Sequence, residues 1–197
     1  ADSVTAAKLN DDIISGQTEL ASSPADTDEL LISDAGTLKR IDVSLVSGKN
    51  TPAFEAVLSS DFNITDQTYQ KIPFATEVFD TAGAFDSSTN YRFTVPSGQA
   101  GKYYFYAQLD HQGTAMTANW TIFKKNGNYI RGSHFDADNV TYNSQRLTGI
   151  LDLAESDYVE VWGYNDTTSG TNSVAKSFTI DSAETFTTFF GGYKIIE

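Results

Sequence analysis

The sequence predicts an all-β fold, a jelly-roll sandwich that spans residues 51–197 and follows an extended amino-terminal stem. Every Phe, Tyr and Trp of the 197-residue chain lies after residue 46, so only this later part can bury a large apolar core. Its apolar residues alternate with polar ones at the two-residue period of strands that bury one face. Gly, Asn, Asp and Ser separate these runs at short intervals, which is typical of sandwiches and barrels.

Residues 1–50 are predicted to form a stem and linker. Residues 4–14 would suit one or two helical turns or an extended strip. Residues 29–46 are predicted to form a β-hairpin, because apolar residues alternate on both sides of an Asp-Ala-Gly turn, namely Leu30, Ile32, Ile41, Val43 and Leu45. Residues 1–46 carry three basic and nine acidic side chains and no aromatic anchor. We therefore expect this stem to be ordered only against other copies of itself.

The knob, defined as residues 51–197, contains nine segments with strand patterns. In chain order they are residues 53–58, 69–74, 90–95, 101–110, 119–127, 147–153, 157–165, 175–180 and 184–196. The Asn126-Gly127 pair is a strong indication of a tight hairpin turn. Alternation places four side chains in the protomer's own core, namely Tyr103, Phe105, Val159 and Val161.

Two of these strands are aromatic on the opposite face as well. That face carries Tyr104 and Tyr106 on one strand and Trp162 and Tyr164 on the other. In a two-layer sandwich the outer face normally meets water, so aromatic residues there predict an interface between subunits. A tyrosine-rich sheet that is simply solvated is the alternative.

The knob resembles the complement C1q globular-head family, whose fold is shared with tumour necrosis factor. The matching segments are Phe54-Glu55-Ala56, Ile72-Pro73-Phe74, "FDSSTNYRFTVPSGQAGKYYFYAQL" (85–109), Lys125-Asn126-Gly127, "LDLAESDYVEVW" (151–162) and "FFGGYKI" (189–195). The resemblance implies a ten-stranded jelly roll assembled as a tight homotrimer, with ligands bound by exposed loops and in some cases Ca²⁺ near the threefold axis. The collagen stalk and the cysteines that are common in that family are missing here.

The amino-terminal segment is similar to stem and linker sequences of tailed-bacteriophage fibre proteins. The similarity covers "VTAAKLNDDII" and "TELASSPADTDELLISDAGTLKRIDVSLV". It implies a virion structural protein of the tail-fibre or spike type, whose stem attaches to other virion proteins and whose knob binds a host-surface glycan or protein. The start at Ala1 would fit a piece of a longer chain. The alternatives are a capsid or tail decoration protein with a purely architectural role, and a secreted C1q-like recognition protein, which would place it outside a cell.

Charge and composition exclude several functions. The net charge of −13, from 13 basic and 26 acidic residues, repels phosphate backbones, so nucleic acid is not an expected partner. No run approaches the roughly 20 apolar residues of a membrane span, so membrane insertion is not expected. Only His111 and His134 could act as bases near neutral pH, and neither lies in a recognisable catalytic motif, so we expect no enzyme.

Residues 133–143 are predicted to form the most site-like loop. Asp136, Asp138 and Asn139 offer three oxygen donors that Ca²⁺ could use, although the Gly and distal Glu of an EF-hand loop are missing. A solvated acidic turn is the alternative, and no other cofactor is expected.

Ligand binding is assigned to aromatic and polar side chains in and next to this loop. Tyr129, Arg131, Phe135 and Tyr142 would suit stacking on sugar rings and hydrogen bonding to sugar hydroxyls. The sequence therefore predicts carbohydrate as the ligand.

Overall fold

The structure, a computed structural model, divides the chain into two compact units, residues 1–49 and 50–197. It describes residues 18, 20, 22, 24–25, 27–46, 49–168, 170–180 and 183–195, without the side chains of residues 137, 178–180, 183 and 184. The segment 4–14, predicted as helical turns or an extended strip, lies outside the described residues. Within the described ranges, no helix has the length and apolarity that a membrane crossing requires.

The first unit contains the predicted hairpin, formed by β1 (Glu29–Asp34) and β2 (Thr37–Asp42). Ala35 and Gly36 both have positive φ, 49° and 82°, as a two-residue hairpin turn requires. The hairpin is shorter than predicted, because residues Val43–Val46 form a turn of helix, α1, instead of more strand. Just before β1, Asp28 N donates to Ala25 O at 2.9 Å in a turn, and Val43 N donates to Asp28 O at 2.8 Å, which closes the hairpin after Asp42.

The hairpin and α1 leave apolar side chains uncovered within a single chain. Leu31, Leu38 and Leu45 are each at least 70% exposed. Two short strands with apolar groups on both faces have little to hold them in water. This exposure agrees with the expectation that other copies of the chain cover the stem, which stays a prediction.

The second unit is built from strands. They are β3 (Ala53–Val57), β4 (Phe62–Ile64), β5 (Gln70–Lys71), β6 (Thr76–Asp80), β7 (Phe85–Asp86), β8 (Arg92–Thr94), β9 (Gly101–Lys125), β10 (Asn128–Leu153), β11 (Tyr158–Thr167), β12 (Asn172–Val174), β13 (Ser177–Ile180), β14 (Ala183–Phe186) and β15 (Phe189–Lys194). All the strand pairs are antiparallel, as a jelly roll requires.

The strands form two layers, and the long strands β9 and β10 belong to both. Layer one has the order β6, β3, β15, the first half of β9 and the second half of β10, with β12 and β4 extending it. Layer two has the first half of β10, the second half of β9, then β11, β8 and β7, with β5 beside β11. The crossing lies near residues 113–116, where Ala115 has a φ of 53° and the ladder to β10 is irregular.

Aromatic rings fill the space between the layers. Phe54 of layer one stacks on Phe85 and Phe93 of layer two, with ring centroids 4.9 and 5.1 Å apart. Phe105 meets Phe123 edge to face at 6.3 Å. The four side chains predicted to fill the core, Tyr103, Phe105, Val159 and Val161, are all fully buried, so this prediction is confirmed.

The sequence missed several short strands at the edges of the layers. Strand β6 has no alternating burial, because Val78 and Phe79 are both exposed on an edge strand, so it carries no two-residue period to detect. The predicted strand 69–74 shrinks to β5, since Pro73 has no N–H to donate to a ladder.

One end of the core is polar and centres on His111, which is fully buried. Its Nδ1 lies 2.5 Å from Asn165 Oδ1, and its Nε2 lies 3.1 Å from Thr121 Oγ1. These partners fit a neutral ring that donates from Nδ1 and accepts at Nε2. Burial lowers the pKa of His111 to about 4, against the weaker opposing effect of the Asn165 hydrogen bond.

Candidate ligand-binding site

The structure separates the four residues that the sequence grouped as a ligand site. Tyr129 and Arg131 line one cavity, whereas Tyr142 lines another beside Gln112 and Thr141. Phe135 is exposed but lines neither of these two cavities. The predicted loop 133–143 is in fact part of β10, which passes from layer two to layer one before it reaches Tyr142.

The cavity at Tyr129 and Arg131 is the candidate site, and we call it the aromatic cavity. It has a volume of about 390 Å³, within the range of small-molecule sites. Its lining residues are Tyr69, Trp120, Ile122, Tyr129, Ile130, Arg131 and Gly132.

The alternation of β9 explains why this cavity lies on the outer surface of layer two. Thr121 and Phe123 are fully buried between the layers, so Trp120 and Ile122 project from the opposite face. Gly132 lies opposite Ile122 on the neighbouring strand, and because glycine has no side chain it leaves space above Ile122. A Cβ at Gly132 would lie 3.6 Å from Ile122 Cγ1 and 3.8 Å from Trp120 Cε3, in ordinary contact and inside the cavity.

Aromatic rings form one wall of the cavity. Tyr69 meets Tyr129 edge to face at 5.7 Å and packs on Tyr164 at 4.6 Å between centroids. Burial raises the pKa of the Tyr164 hydroxyl, with a smaller effect from the carboxylate of Asp166. These rings present apolar surface to solvent while their hydroxyls remain able to form hydrogen bonds.

Two lysines, Lys124 and Lys71, lie in or beside this wall. The Lys124 ammonium is 3.5 Å from the ring centroid of Trp162 and 4.3 Å from that of Tyr129, and the residue is only 8% exposed. Trp162 Nε1 donates to Glu160 Oε2 at 3.0 Å, and Glu160 Oε1 accepts from Lys71 at 3.1 Å. Trp162 is therefore half-buried against its own chain.

A histidine–aspartate pair stands next to the cavity. The His134 ring stacks on Trp120 with centroids 4.0 Å apart, and its Nε2 is 2.7 Å from Asp136 Oδ1. The stacked His134 ring covers one face of the Trp120 indole and holds the indole beside the opening of the aromatic cavity. Neither Trp120 nor His134 was singled out for binding from the sequence, although the alternation of residues 119–127 places Trp120 on an outer face.

The oxygen donors predicted to hold Ca²⁺ do not converge. Asp136 is engaged by His134, and Asn139 Nδ2 donates to Asp138 Oδ1 at 3.1 Å. Both carboxylates thus already accept hydrogen bonds from neighbouring side chains. In the part of the chain that the structure describes, no group of three or more His, Cys, Asp and Glu side chains is placed to hold a metal ion. Calcium binding stays a prediction from the sequence.

The four predicted interface residues fall on two different surfaces. Tyr104 and Tyr106 lie on the outer face of layer one, while Trp162 and Tyr164 lie on the outer face of layer two. Alternation gave the correct side of each strand, but it cannot tell which layer a strand joins.

A glycine makes the layer-one surface possible. The Tyr106 ring crosses Gly191 to donate its hydroxyl to Glu55 Oε2 at 2.8 Å. A Cβ at Gly191 would come within 2.4 Å of Tyr106 Cζ and Oη. Burial, together with the Glu55 hydrogen bond, raises the pKa of the Tyr106 hydroxyl above its usual value.

Comparison with known proteins bears on the fold. No protein-family model matches the chain, and no curated protein matches its sequence. Among solved structures, the globular domain of zebrafish complement 1qA protein is similar, with a TM-score of 0.50 and 16% identity, over 74% of this chain and 98% of that chain. Murine APRIL at pH 8.0 is similar as well, with a TM-score of 0.51 and 14% identity, over 73% of this chain and 98% of that chain. The knob is therefore a C1q/TNF-like jelly roll, which confirms the fold predicted from the sequence.

Proposed function

We propose that this protein is a homotrimeric binding module of the virion fibre or spike type, whose knob binds a host-surface carbohydrate at the aromatic cavity. The observation that carries the proposal is the cavity itself, about 390 Å³ of space lined by aromatic rings on an outer face. Aromatic faces stack on the C–H groups of sugar rings, and tyrosine hydroxyls can bond sugar hydroxyls.

Trimerisation is supported by the outer face of layer one. Tyr104 packs beside Tyr193 at 5.5 Å, Tyr106 packs beside Phe189 at 6.1 Å, and Ile150 opposite Tyr104 is 55% exposed. A continuous aromatic surface of this kind is typical of a subunit interface.

Assembly through layer one leaves the aromatic cavity of layer two open. We therefore assign Tyr104 and Tyr106 to the threefold contact. Trp162 and Tyr164, which the sequence also assigned to it, pack on Lys124 and Tyr69 of their own chain, at the wall of the cavity.

The fibre role is supported by the first unit. Its leucines are exposed in a single chain, and three stems packed around one axis would bury them. The stem would then attach the knob to other virion proteins, with the knob outermost on the virion surface.

The test is binding of the full chain to an oligosaccharide array and to host cells. Trp120→Ala should weaken binding about fivefold, because a stacking surface of roughly 1 kcal/mol is lost. Gly132→Val should weaken it as well by filling the cavity, and its ordinary contacts should leave the fold intact. Tyr142→Ala, at the other cavity, is the matched control and should bind normally.

Two outcomes would contradict the proposal. Loss of binding in Tyr142→Ala but not in Trp120→Ala would move the site to the other cavity. A stable trimer that binds no sugar and no host cell would favour the architectural role of a decoration protein.

The trimer itself is tested by light scattering, which should report about three times the chain mass of 21.5 kDa.

A further inference from the structure

We propose that the sugar bound at the aromatic cavity carries a methyl group, as 6-deoxyhexoses and N-acetylated sugars do, and that this methyl group enters the space between Gly132 and Ile122. The inference rests on the proposed function and specifies the chemical class of its ligand. It is carried by the apolar floor of the cavity and by the direction in which the neighbouring charges point.

Ile122 forms the floor of the aromatic cavity. It projects from the outer face of layer two but is only 4% exposed, whereas Gly132 opposite it is exposed. A Cβ at residue 132 would lie 3.6 Å from Ile122 Cγ1 and 3.8 Å from Trp120 Cε3. These are favourable contact distances between carbon atoms, so a methyl group of a ligand fits at the same point.

The backbone beneath the floor is engaged in the sheet. Strand β9 is paired on both sides of Ile122, with Gly132 of β10 and with Trp162 of β11. Its backbone N–H and C=O groups therefore serve the two ladders, and the side chain of Ile122 adds only carbon atoms. A sugar hydroxyl pressed onto this floor would lose hydrogen bonds to water that the floor does not replace, whereas a methyl group has none to lose.

The positive charges next to the cavity are directed at other groups. Arg131 packs its guanidinium over Gly149 of layer one, where a Cβ would come within 2.8 Å of Arg131 Nε. The Lys124 ammonium lies against the rings of Trp162 and Tyr129. Burial of apolar surface is therefore the main force with which the floor can hold a ligand.

The walls of the cavity suit the rest of a sugar. Trp120, Tyr69 and Tyr129 offer ring surface on which the C–H groups of a sugar ring can stack. Tyr69 is 39% and Tyr129 58% exposed, so sugar hydroxyls beside these rings stay in contact with water. A sugar with a methyl group therefore matches both the walls and the floor.

The experiment compares sugars that differ only at the position of the methyl group. The full chain is titrated calorimetrically with oligosaccharides that end in L-rhamnose or L-mannose, in L-fucose or L-galactose, and in N-acetylglucosamine or its N-formyl form. We expect the methyl-bearing member of at least one pair to bind about tenfold tighter. The pair that shows this preference distinguishes a deoxyhexose from an N-acetylated sugar.

Gly132→Ala tests where the methyl group of the ligand lies. The new Cβ occupies the floor at ordinary contact distances, and Gly132 does not have a left-handed φ, so the fold should remain intact. We expect the affinity for the methyl-bearing sugar to fall about tenfold, to that of its partner, because the protein now fills the space itself. Tyr142→Ala, at the other cavity, is the control and should keep the preference.

The possible results separate this inference from the proposed function. Equal affinity for the two members of every pair would overturn the inference and leave carbohydrate binding in place. A preference that survives Gly132→Ala would also overturn it, because the methyl group would then lie elsewhere. Failure of every sugar, on the array and in the titrations, to bind the unmodified chain would overturn both. A preference that is lost in Gly132→Ala and kept in Tyr142→Ala would support both.

Discussion

The burial of His111 predicts a specific loss of stability in mild acid. In the unfolded chain this histidine takes up a proton near its ordinary pKa of 6.5, whereas the folded chain resists protonation until about pH 4. The unfolded state therefore binds the extra proton between these values, and the free energy of unfolding falls as the pH falls from 6.5 to 4. The difference corresponds to roughly 3 kcal/mol, since one pKa unit is worth about 1.4 kcal/mol.

Another group with a shifted pKa acts in a different pH range. Lys125 and Asn126 hold the pKa of Asp157 at about 2, below its ordinary value of 3.8. The stability that this carboxylate contributes is present above pH 3.8 and is lost only below it. A decline between pH 6.5 and 4 can therefore be assigned to the histidine.

The assay is urea unfolding at a fixed chain concentration, followed by tryptophan fluorescence between pH 7.5 and 4. We expect the unmodified chain to lose about 3 kcal/mol over this range. His111→Gln should be less stable at pH 7 by roughly 1–3 kcal/mol, but its stability should be nearly constant down to pH 4. His134→Gln, at an exposed histidine, should keep the decline. If His111→Gln declines as steeply as the unmodified chain, the reasoning from burial is wrong.

Three further predictions concern the assembly surface and the stem. Tyr106→Ala should weaken the trimer by about 2 kcal/mol per copy through lost aromatic burial, measured by sedimentation equilibrium; an oligomer intact at every dilution would refute this face assignment. Gly191→Ala should lower the free energy of unfolding by roughly 1–3 kcal/mol, because the new methyl group meets the Tyr106 ring, and the cost should largely vanish in combination with Tyr106→Ala. Deletion of residues 1–46 should leave a knob that folds and trimerises, as shown by light scattering, but no longer attaches to the particle.

The sequence was informative wherever one face of a strand is buried. The two-residue period placed Tyr103 and Phe105 inside and Tyr104 and Tyr106 outside, as the structure shows. It failed at β6, where neither face is buried and the pattern is therefore lost.

The candidate site was less predictable, because it depends on which layer each part of a strand joins. The sequence does not show where β10 changes layer, so Tyr129 and Tyr142 were grouped together although they line different cavities. Tyr69 could not have been assigned to the site from the sequence, since it contacts Tyr129 although the two residues are far apart in the chain. Arg131 was identified by its type alone, and the packing of its guanidinium over Gly149 is visible only in three dimensions.

The long β9–β10 ladder has a consequence for how errors in folding would propagate. The turn at Asn126-Gly127 and the irregularities after Tyr129 and after Asp136 set the alignment of both strands, and these strands supply residues to both layers. Sliding the ladder by a single residue would exchange inside and outside in both layers at once, exposing Phe105 and Phe123 and burying Tyr106 and Trp120. A misaligned molecule would therefore lose its core, its assembly surface and its binding surface together. Cellular chaperones and proteases that remove unstable chains would therefore also remove the chains that cannot bind ligand.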